Sequence, residues 1–394
     1  MNTKHITLGA AACAALITMT PVTAKNIALA GAPPEVEENS SQPNQAKVQI
    51  AILLDTSSSM SGLIEQTKTQ LWKIVNTFID AKQNGQVPYV EVALYEYGKS
   101  SLSKEENWIK RIQPLTRDLD EISKQLFALR TNGGDEFCGA VIQCATDDLM
   151  WDPSNKVYKA IFIAGNEAFT QGPVNATDAV KSAIAKGVIV NTIHCGSEQS
   201  GISGGWKKGA TLADGKFLTI DHNRAVAHIE APQDAEIVKL NAKLNRTYLA
   251  YGRIGVAKKR EQATQDANAA AKSKSGADVQ RAVTKGSANY SNTAWDLVDA
   301  CKEENFDITK VKNDALPAVM QTMTMAQRKV HVATKSKERA AIQAQILELN
   351  NKRNTYVATK RKEQAEKTGV QTLDEVVAKT IREQAEKQGY AFKK

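Results

Sequence analysis

The chain has 394 residues, of which 42% are hydrophobic, and it carries a formal net charge of +8. Because this length exceeds one ordinary core, it predicts two folded units or one unit with a long appendage. No segment beyond the amino terminus approaches the roughly 20 apolar residues that a membrane-spanning helix needs, so we expect no integral membrane segment.

The amino terminus has the pattern of an export signal. Residues 1–24 combine Lys4 and His5, an apolar stretch and a small-x-small site at Val22-Thr23-Ala24, which predicts a cleaved signal peptide. Residues 25–46 are rich in Pro, Ser, Asn and Glu and predict a disordered linker. The mature protein is therefore predicted to be exported, either periplasmic or secreted.

Residues 47–232 predict a doubly wound α/β domain. Val48–Leu54 is a nearly continuous apolar run, which is typical of a strand covered on both faces. Amphipathic helical segments then alternate with five further strand segments: 88–97, 107–115, 159–164, 187–193 and 216–220. Because no helix separates 88–97 from 107–115, that pair predicts an antiparallel edge on a mostly parallel six-stranded sheet. Such sheets bind ligands beyond the carboxyl ends of their strands.

Residues 233–394 predict a basic, all-helical C-terminal region. Ala, Lys, Gln and Glu dominate there, and 30 Lys and Arg face 19 Asp and Glu, whereas residues 1–232 hold 21 against 24. A mixed-charge helical surface is usually a solvated face, which we favour over a dedicated anionic partner. We expect no nucleic acid partner, and the sequence leaves the oligomeric state open.

Four cysteines remain once the leader is removed: Cys138, Cys144, Cys195 and Cys301. An even number in an oxidising compartment favours disulfide pairing. Cys138 and Cys144 lie six residues apart on one predicted helix, about 9 Å along its axis, which is beyond disulfide reach. Zinc is not predicted, since neither a C-x-x-C motif nor paired histidines accompany them.

A set of oxygen ligands follows the first predicted strand. Asp55, Ser57 and Ser59 form an Asp-x-Ser-x-Ser motif in one loop. A carboxylate and two hydroxyls suit Mg²⁺, Mn²⁺ or Ca²⁺ better than zinc. The alternative is that Ser57 or Ser59 caps the helix that begins near Ser61.

On this motif and the order of its elements, the segment 47–232 resembles the von Willebrand factor type A family. That family's metal-ion-dependent adhesion site begins with Asp-x-Ser-x-Ser, continues with a Thr in a Gly-Gly-Thr loop, and ends with an Asp after the fourth strand. Here "GGDEFCGAV" places Asp135 at the Thr position, and "FIAGNEAF" places Gly165 or Asn166 at the Asp position.

The resemblance implies a variant metal site. Its members would be Asp55, Ser57, Ser59, Asp135 and Asn166, and its cofactor would be Mg²⁺, with Mn²⁺ or Ca²⁺ as alternatives. The two carboxylates keep the formal charge at two negatives although one has moved to a neighbouring loop. Glu136 and Glu167 would line the rim or be solvated.

Binding, and not turnover, is what the resemblance implies for function. Domains of this family bind a protein partner whose acidic residue completes the coordination of the metal. A disulfide between Cys138 and Cys195 would tie the site loops together, with Cys301 as a competing partner. The alternative function is an envelope scaffold with a degenerate, metal-free site, acting through its helical tail.

One enzyme motif is present in the sequence. Residues 201–205, "GISGG", match the Gly-x-Ser-x-Gly of hydrolases, with Asp214 or Asp221 and His222 or His228 downstream. The motif lacks the strand that must precede a nucleophile elbow, which favours a flexible loop, and His194 has no identifiable partner. The chain also has no Gly-x-x-x-x-Gly-Lys phosphate loop. We therefore predict that the protein is not an enzyme.

Overall fold

The computed structural model describes residues 46–220, 228–368 and 373–393. The predicted signal peptide and all but the last residue of the predicted linker lie outside these residues. Within the described part of the chain, no helix is long and apolar enough to cross a membrane.

A six-stranded sheet forms the first part of the fold. Its strands are β1 (Lys47–Asp55), β2 (Tyr89–Tyr97), β3 (Ile109–Thr116), β4 (Tyr158–Gly165), β5 (Ile189–Cys195) and β6 (Phe217–Ile220). They lie in the order β3-β2-β1-β4-β5-β6. All neighbouring pairs are parallel except β2 and β3. The predicted doubly wound sheet with an antiparallel edge is confirmed.

Helices cover both faces of this sheet, as its apolar strands require. They are α1 (Ser61–Asn76), α2 (Leu119–Ala128), α3 (Cys138–Asp148), α4 (Ala176–Ala185), α5 (Glu198–Ser203) and α6 (Trp206–Leu212). Buried side chains of α1 and α2 share one core cluster with β1, and those of α3 and α4 share another on the opposite face. The central strand β1 is thus buried on both sides, and only Lys47 at its amino end is partly exposed.

Helix α5 replaces the flexible loop that the sequence predicted at "GISGG". The Ser197 hydroxyl caps it by accepting a hydrogen bond from the Ser200 backbone N–H at 3.1 Å. Gly201 is buried there, and a Cβ at this position would lie 2.6 Å from the Phe217 ring. The glycine therefore serves close packing of α5 on β6, which its sequence context did not reveal.

The C-terminal region is helical, as predicted. Its described residues form α7 (Asp234–Asn245), α8 (Gly252–Ala270), α9 (Ala277–Lys285), α10 (Leu297–Ala300), α11 (Ala318–Gln321), α12 (Met325–Thr368) and α13 (Leu373–Glu386). Helix α12 buries one stripe of side chains, including Ile342 and Ile346, against α7 and α9 and exposes its other faces.

The last helix returns to the sheet. Side chains of α13, including Ile381 and Ala385, are buried in the same core cluster as β1. Gln384 joins two strands, because it accepts a hydrogen bond from Tyr158 Oη at 2.8 Å and donates one to Asn191 Oδ1 at 2.8 Å. The sheet is thus covered on one face by a helix that lies far beyond residue 232, where the sequence placed the end of the α/β domain.

A buried ion network joins the helical region to the sheet layer. Arg281 of α9 is only 1% exposed, and its guanidinium contacts Asp120 of α2 at 2.6 Å and Asp266 of α8 at 2.5 Å. The fully buried Lys285 ammonium lies 2.9 Å from Asp266. Removing one member of such a pair leaves an uncompensated buried charge, which typically costs about 3–5 kcal/mol. These charges fix α9 against α2.

Candidate metal site

Asp55 lies at the carboxyl end of the central strand, between the ends of β2 and β4. Its side chain is 0% exposed. One carboxylate oxygen, Oδ1, accepts a hydrogen bond from the Ser57 backbone N–H at 2.7 Å. The other, Oδ2, is buried and has no hydrogen-bond partner among the described residues. Burying an unpaired carboxylate oxygen is costly, and a bound cation or a proton on this carboxylate would relieve that cost.

The serine hydroxyls extend from Asp55 to the loop after β4. Ser57 Oγ lies 3.0 Å from Ser59 Oγ, and Ser59 Oγ donates a hydrogen bond to Asn166 Oδ1 at 3.0 Å. Neither hydroxyl caps a helix: Ser57 precedes a short 3₁₀ turn without a side-chain capping bond, and the N-cap of α1 is Met60. The capping alternative is therefore wrong. A chain of hydrogen bonds thus brings Asp55, Ser57, Ser59 and Asn166 together.

A third loop, residues 131–136, meets this group from the other side. The Asn132 backbone N–H donates to the Thr56 carbonyl at 3.0 Å, which fixes the loop against the end of β1. Asp135 is exposed, and it forms no hydrogen bond with Asp55, Ser57 or Ser59 in the described structure. Its neighbour Glu136 is 8% exposed, and a Cβ at Gly98 would touch both its Cγ and Asp55 Oδ1.

Two glycines make room for the carboxylates. A Cβ on Gly98 would lie 2.7 Å from Glu136 Cγ and 2.9 Å from Asp55 Oδ1. A Cβ on Gly165 would lie 2.6 Å from Tyr97 Oη and 3.3 Å from Asp55 Oδ2. Side chains at these positions would fill the space around both Asp55 oxygens, so the strand ends form a cradle around this carboxylate.

The electrostatics of this cradle are strongly negative. Burial, together with the nearby Glu136 and Glu167 carboxylates, raises the pKa of Asp55 to about 7. Burial and the Glu167 charge also raise the pKa of Glu136. In the described residues, no group of three or more His, Cys, Asp and Glu side chains is arranged to hold a metal. A cation here would depend on hydroxyl and amide oxygens as well as carboxylates, a donor set that fits Mg²⁺, Mn²⁺ or Ca²⁺.

The predicted disulfide is absent. All four described cysteines are free thiols. Cys138 belongs to the core cluster on one face of the sheet, whereas Cys195 belongs to the cluster on the other face, so the sheet separates them. Burial raises the pKa of the Cys138 thiol to about 12 and raises that of Cys195 as well. The expected Cys138–Cys195 disulfide was wrong because the two cysteines lie on opposite faces of the sheet.

The hydrolase motif does not form a nucleophile elbow. Ser203 ends α5, and its hydroxyl donates to the Ser200 carbonyl at 3.2 Å. His194 has a partner that the sequence did not reveal, because its Nε2 lies 2.9 Å from Ser200 Oγ. The capping serine at residue 197, three positions before Ser200, was the only sequence signal for this arrangement.

Comparison with known proteins gives similarity to solved structures alone. No family model matches the chain, and no curated protein matches it. BatB from Bacteroides thetaiotaomicron aligns at 16% identity over 44% of this chain and 90% of its own, with a TM-score of 0.34. A von Willebrand factor type A protein from Catenulispora acidiphila aligns at 15% identity over 45% and 40% of the two chains, with a TM-score of 0.34.

A third similar structure is proximal thread matrix protein 1 from the mussel byssus, described with a zinc-occupied metal-ion-dependent adhesion site. It aligns at 15% identity over 46% of this chain and 43% of its own, with a TM-score of 0.34. Similarity at this level is no basis for transferring a ligand or a partner to this chain.

Proposed function

We propose that this chain is an exported von Willebrand factor type A protein that binds one divalent cation and, through it, a partner protein. The cation is Mg²⁺, with Mn²⁺ or Ca²⁺ as alternatives, and its ligands include Asp55, Ser57, Ser59 and Asn166. The main support for this proposal is that Asp55 Oδ2 is a buried carboxylate oxygen without a hydrogen-bond partner in the described chain.

The third loop adds one more acid to this set, either Asp135, as the family pattern implies, or its neighbour Glu136. With Asp55, that acid gives the site two formal negative charges, which a divalent cation balances. A neutral cation site can accept one further acidic group, so an acidic residue of the partner completes the coordination. Ser59 and Asn166 form the outer side of the site, and Ser59 is exposed to an approaching partner.

Calorimetry tests the cation. Unfolding of the full chain is measured in Mg²⁺ and in EDTA, and we expect stabilisation by about 2.7 kcal/mol at one hundred times the dissociation constant. Asp55→Ala should remove the difference, because it deletes the central ligand. The proposal would be contradicted if the melting curves of the unmodified protein at saturating Mg²⁺, Mn²⁺ and Ca²⁺ all superimposed on the curve in EDTA.

The alternative, a scaffold acting through its helical tail, is favoured by one feature of α12. Its first turns line a shallow cavity of about 420 Å³, formed by Met323, Ala326, Gln327, Val330, His331 and Thr334. Val330 is 66% exposed. Residues 315–337 contain four Lys and Arg and no acid: Arg328, Lys329, Lys335 and Lys337. An apolar surface with basic neighbours suits an acidic amphipathic helix of a partner.

Partner capture from an envelope extract separates the two functions. Capture through the cation site is lost in EDTA and in Asp55→Ala, and it survives Val330→Asp. Capture through α12 survives EDTA and Asp55→Ala, because neither changes the apolar surface. It is lost in Val330→Asp, which places a charge on that surface.

A further inference from the structure

Two adjacent acids in the third loop differ sharply in their surroundings. Asp135 is exposed, whereas Glu136 is 8% exposed and packs together with Asp55 beside Gly98. We infer that Glu136, and not Asp135, is the third-loop ligand of the cation, so that Asp55 and Glu136 form a carboxylate pair that holds it. This inference rests on the proposed cation site and names the residue that completes it.

The backbone brings the two carboxylates together. Gly98 follows β2 with φ of +77°, and its missing Cβ would lie 2.7 Å from Glu136 Cγ and 2.9 Å from Asp55 Oδ1. Both acids therefore occupy the space beside Gly98 that a Cβ would fill. A side chain at position 98 would push them apart, and the positive φ also disfavours any other residue there.

Helix α3 and the loop before it hold Glu136 in this position. Phe137 is the N-cap of α3, and the next residue, Cys138, is buried in the core beneath the sheet edge. On the other side of Glu136, the Ser100 backbone N–H donates to the Gly133 carbonyl, which ties the loop to the end of β2. With the chain fixed on both sides, residue 136 faces the cradle and residue 135 faces solvent.

An independent observation points to a ligand at this place. Asp55 Oδ2 is buried without a partner, although the cradle around it contains two serine hydroxyls and an amide. In the described chain no Lys, Arg or His forms an ion pair with Asp55 or Glu136. Two packed carboxylates without a cation from the chain require one from solution or a bound proton.

A carboxylate at this position changes what the site supplies. Where the family has a hydroxyl, Glu136 offers a charged group with two oxygens, and ligand charge tunes the affinity of such sites over several orders of magnitude. Charge at position 136 should therefore dominate cation affinity. Charge at position 135, which is exposed, should be screened by solvent.

The adjacent acids provide a matched pair of variants. Isothermal titration with MnCl₂ is carried out on the full chain, on Glu136→Gln, on Asp135→Asn and on Asp55→Asn. We expect Glu136→Gln to weaken Mn²⁺ binding by about tenfold or more, Asp135→Asn to change it by less than about twofold, and Asp55→Asn to abolish it.

The outcomes separate this inference from the proposed function. If the unmodified chain binds Mn²⁺ and Glu136→Gln binds it equally well, the assignment of Glu136 is overturned and the cation site stands. If the unmodified chain does not bind Mn²⁺, Mg²⁺ or Ca²⁺, both fail. Should Glu136→Gln not fold, Glu136→Asp is compared with Asp135→Glu, which both retain the charge. Weakening by the first alone supports the inference, and equal affinities overturn it.

Discussion

Two of the regions that hold buried carboxylates differ in their counter-charges, because one has basic partners from the chain and the other does not. Between α2, α8 and α9, Asp120 and Asp266 face Arg281 and Lys285 at 2.5–2.9 Å. At the carboxyl edge of the sheet, Asp55 and Glu136 pack on Gly98 without a basic partner in the described structure. The first cluster is formally neutral, whereas the second is formally anionic and has no basic partner in the described chain.

The pKa shifts express the same difference. Although burial raises the pKa of Asp266, the Lys285 and Arg281 charges hold it below its usual value. Burial and the acidic neighbours Glu136 and Glu167 together raise the pKa of Asp55 to about 7. The ion pairs of the first cluster thus lower the pKa of Asp266, while burial and acidic neighbours raise that of Asp55. Raised pKa values of buried groups in clefts often accompany functional sites, which agrees with the proposed cation site.

The largest expected effect comes from breaking the first cluster. Asp120→Ala removes one partner of the buried Arg281 guanidinium and the acceptor of the Tyr290 hydroxyl at 2.5 Å. We expect the free energy of unfolding to fall by about 3–5 kcal/mol, since an uncompensated charge remains buried. Urea denaturation measures it. Asp314→Ala, at an exposed aspartate, should leave the transition almost unchanged, and an equal loss in both variants would contradict the structural role of the cluster.

In the absence of metal, the buried Asp55 should make the free energy of unfolding depend on pH. The pKa of Asp55 is raised from 3.8 to about 7 in the folded protein, so the folded state binds the proton more tightly than the unfolded state. In EDTA, the contribution of Asp55 to stability should therefore be lost progressively as the pH rises from about 4 to about 7, by a few kcal/mol at most.

Asp55→Asn should flatten this part of the stability profile, since an amide does not titrate. Thermal unfolding in EDTA at successive pH values measures it. If the free energy of unfolding rose with pH over this range in both the unmodified chain and Asp55→Asn, the raised pKa of Asp55 would be contradicted.

Much of the fold was predictable because its strands and helices carry strong periodic patterns. The run Val48–Leu54 and the helix-free segment before residue 107 were sufficient for the sheet and its antiparallel edge. The return of α13 to the sheet was not predictable, because charged residues precede and follow Ile381 in the sequence. The burial of Arg281 and Lys285 was equally hidden, since their partners are distant in the chain.

The positions of the candidate ligands were predictable wherever spacing within one loop decides the geometry. Asp55, Ser57 and Ser59 follow one strand, and Asn166 follows its neighbour in the sheet, so parallel topology brings them together. The third loop is different, because its two acids are adjacent and the choice between them depends on which faces inward. That orientation is set by Gly98 and by the packing of α3, neither of which is visible in a motif.

The smallest expected effect concerns the outer side of the site. Ser59→Ala removes the hydroxyl that donates to Asn166 Oδ1 at 3.0 Å. Because Ser59 is exposed, metal-free stability should change by no more than about 1 kcal/mol. Cation affinity should fall more clearly, since one ligand is lost, and titration with MgCl₂ measures it. Ser58→Ala, at the exposed neighbour, is the control, and equal effects of both variants would contradict the role of Ser59.

We propose that the carboxyl edge of the sheet binds a cation from solution, because no basic side chain of the described chain pairs with Asp55. The most direct test of this proposal is the stoichiometry of Mn²⁺ binding, followed by the loss of the free-ion signal in electron paramagnetic resonance. The predicted result is one tightly bound Mn²⁺ per chain in the unmodified protein and none in Asp55→Asn. Equal binding by both proteins, or binding by neither, would contradict it.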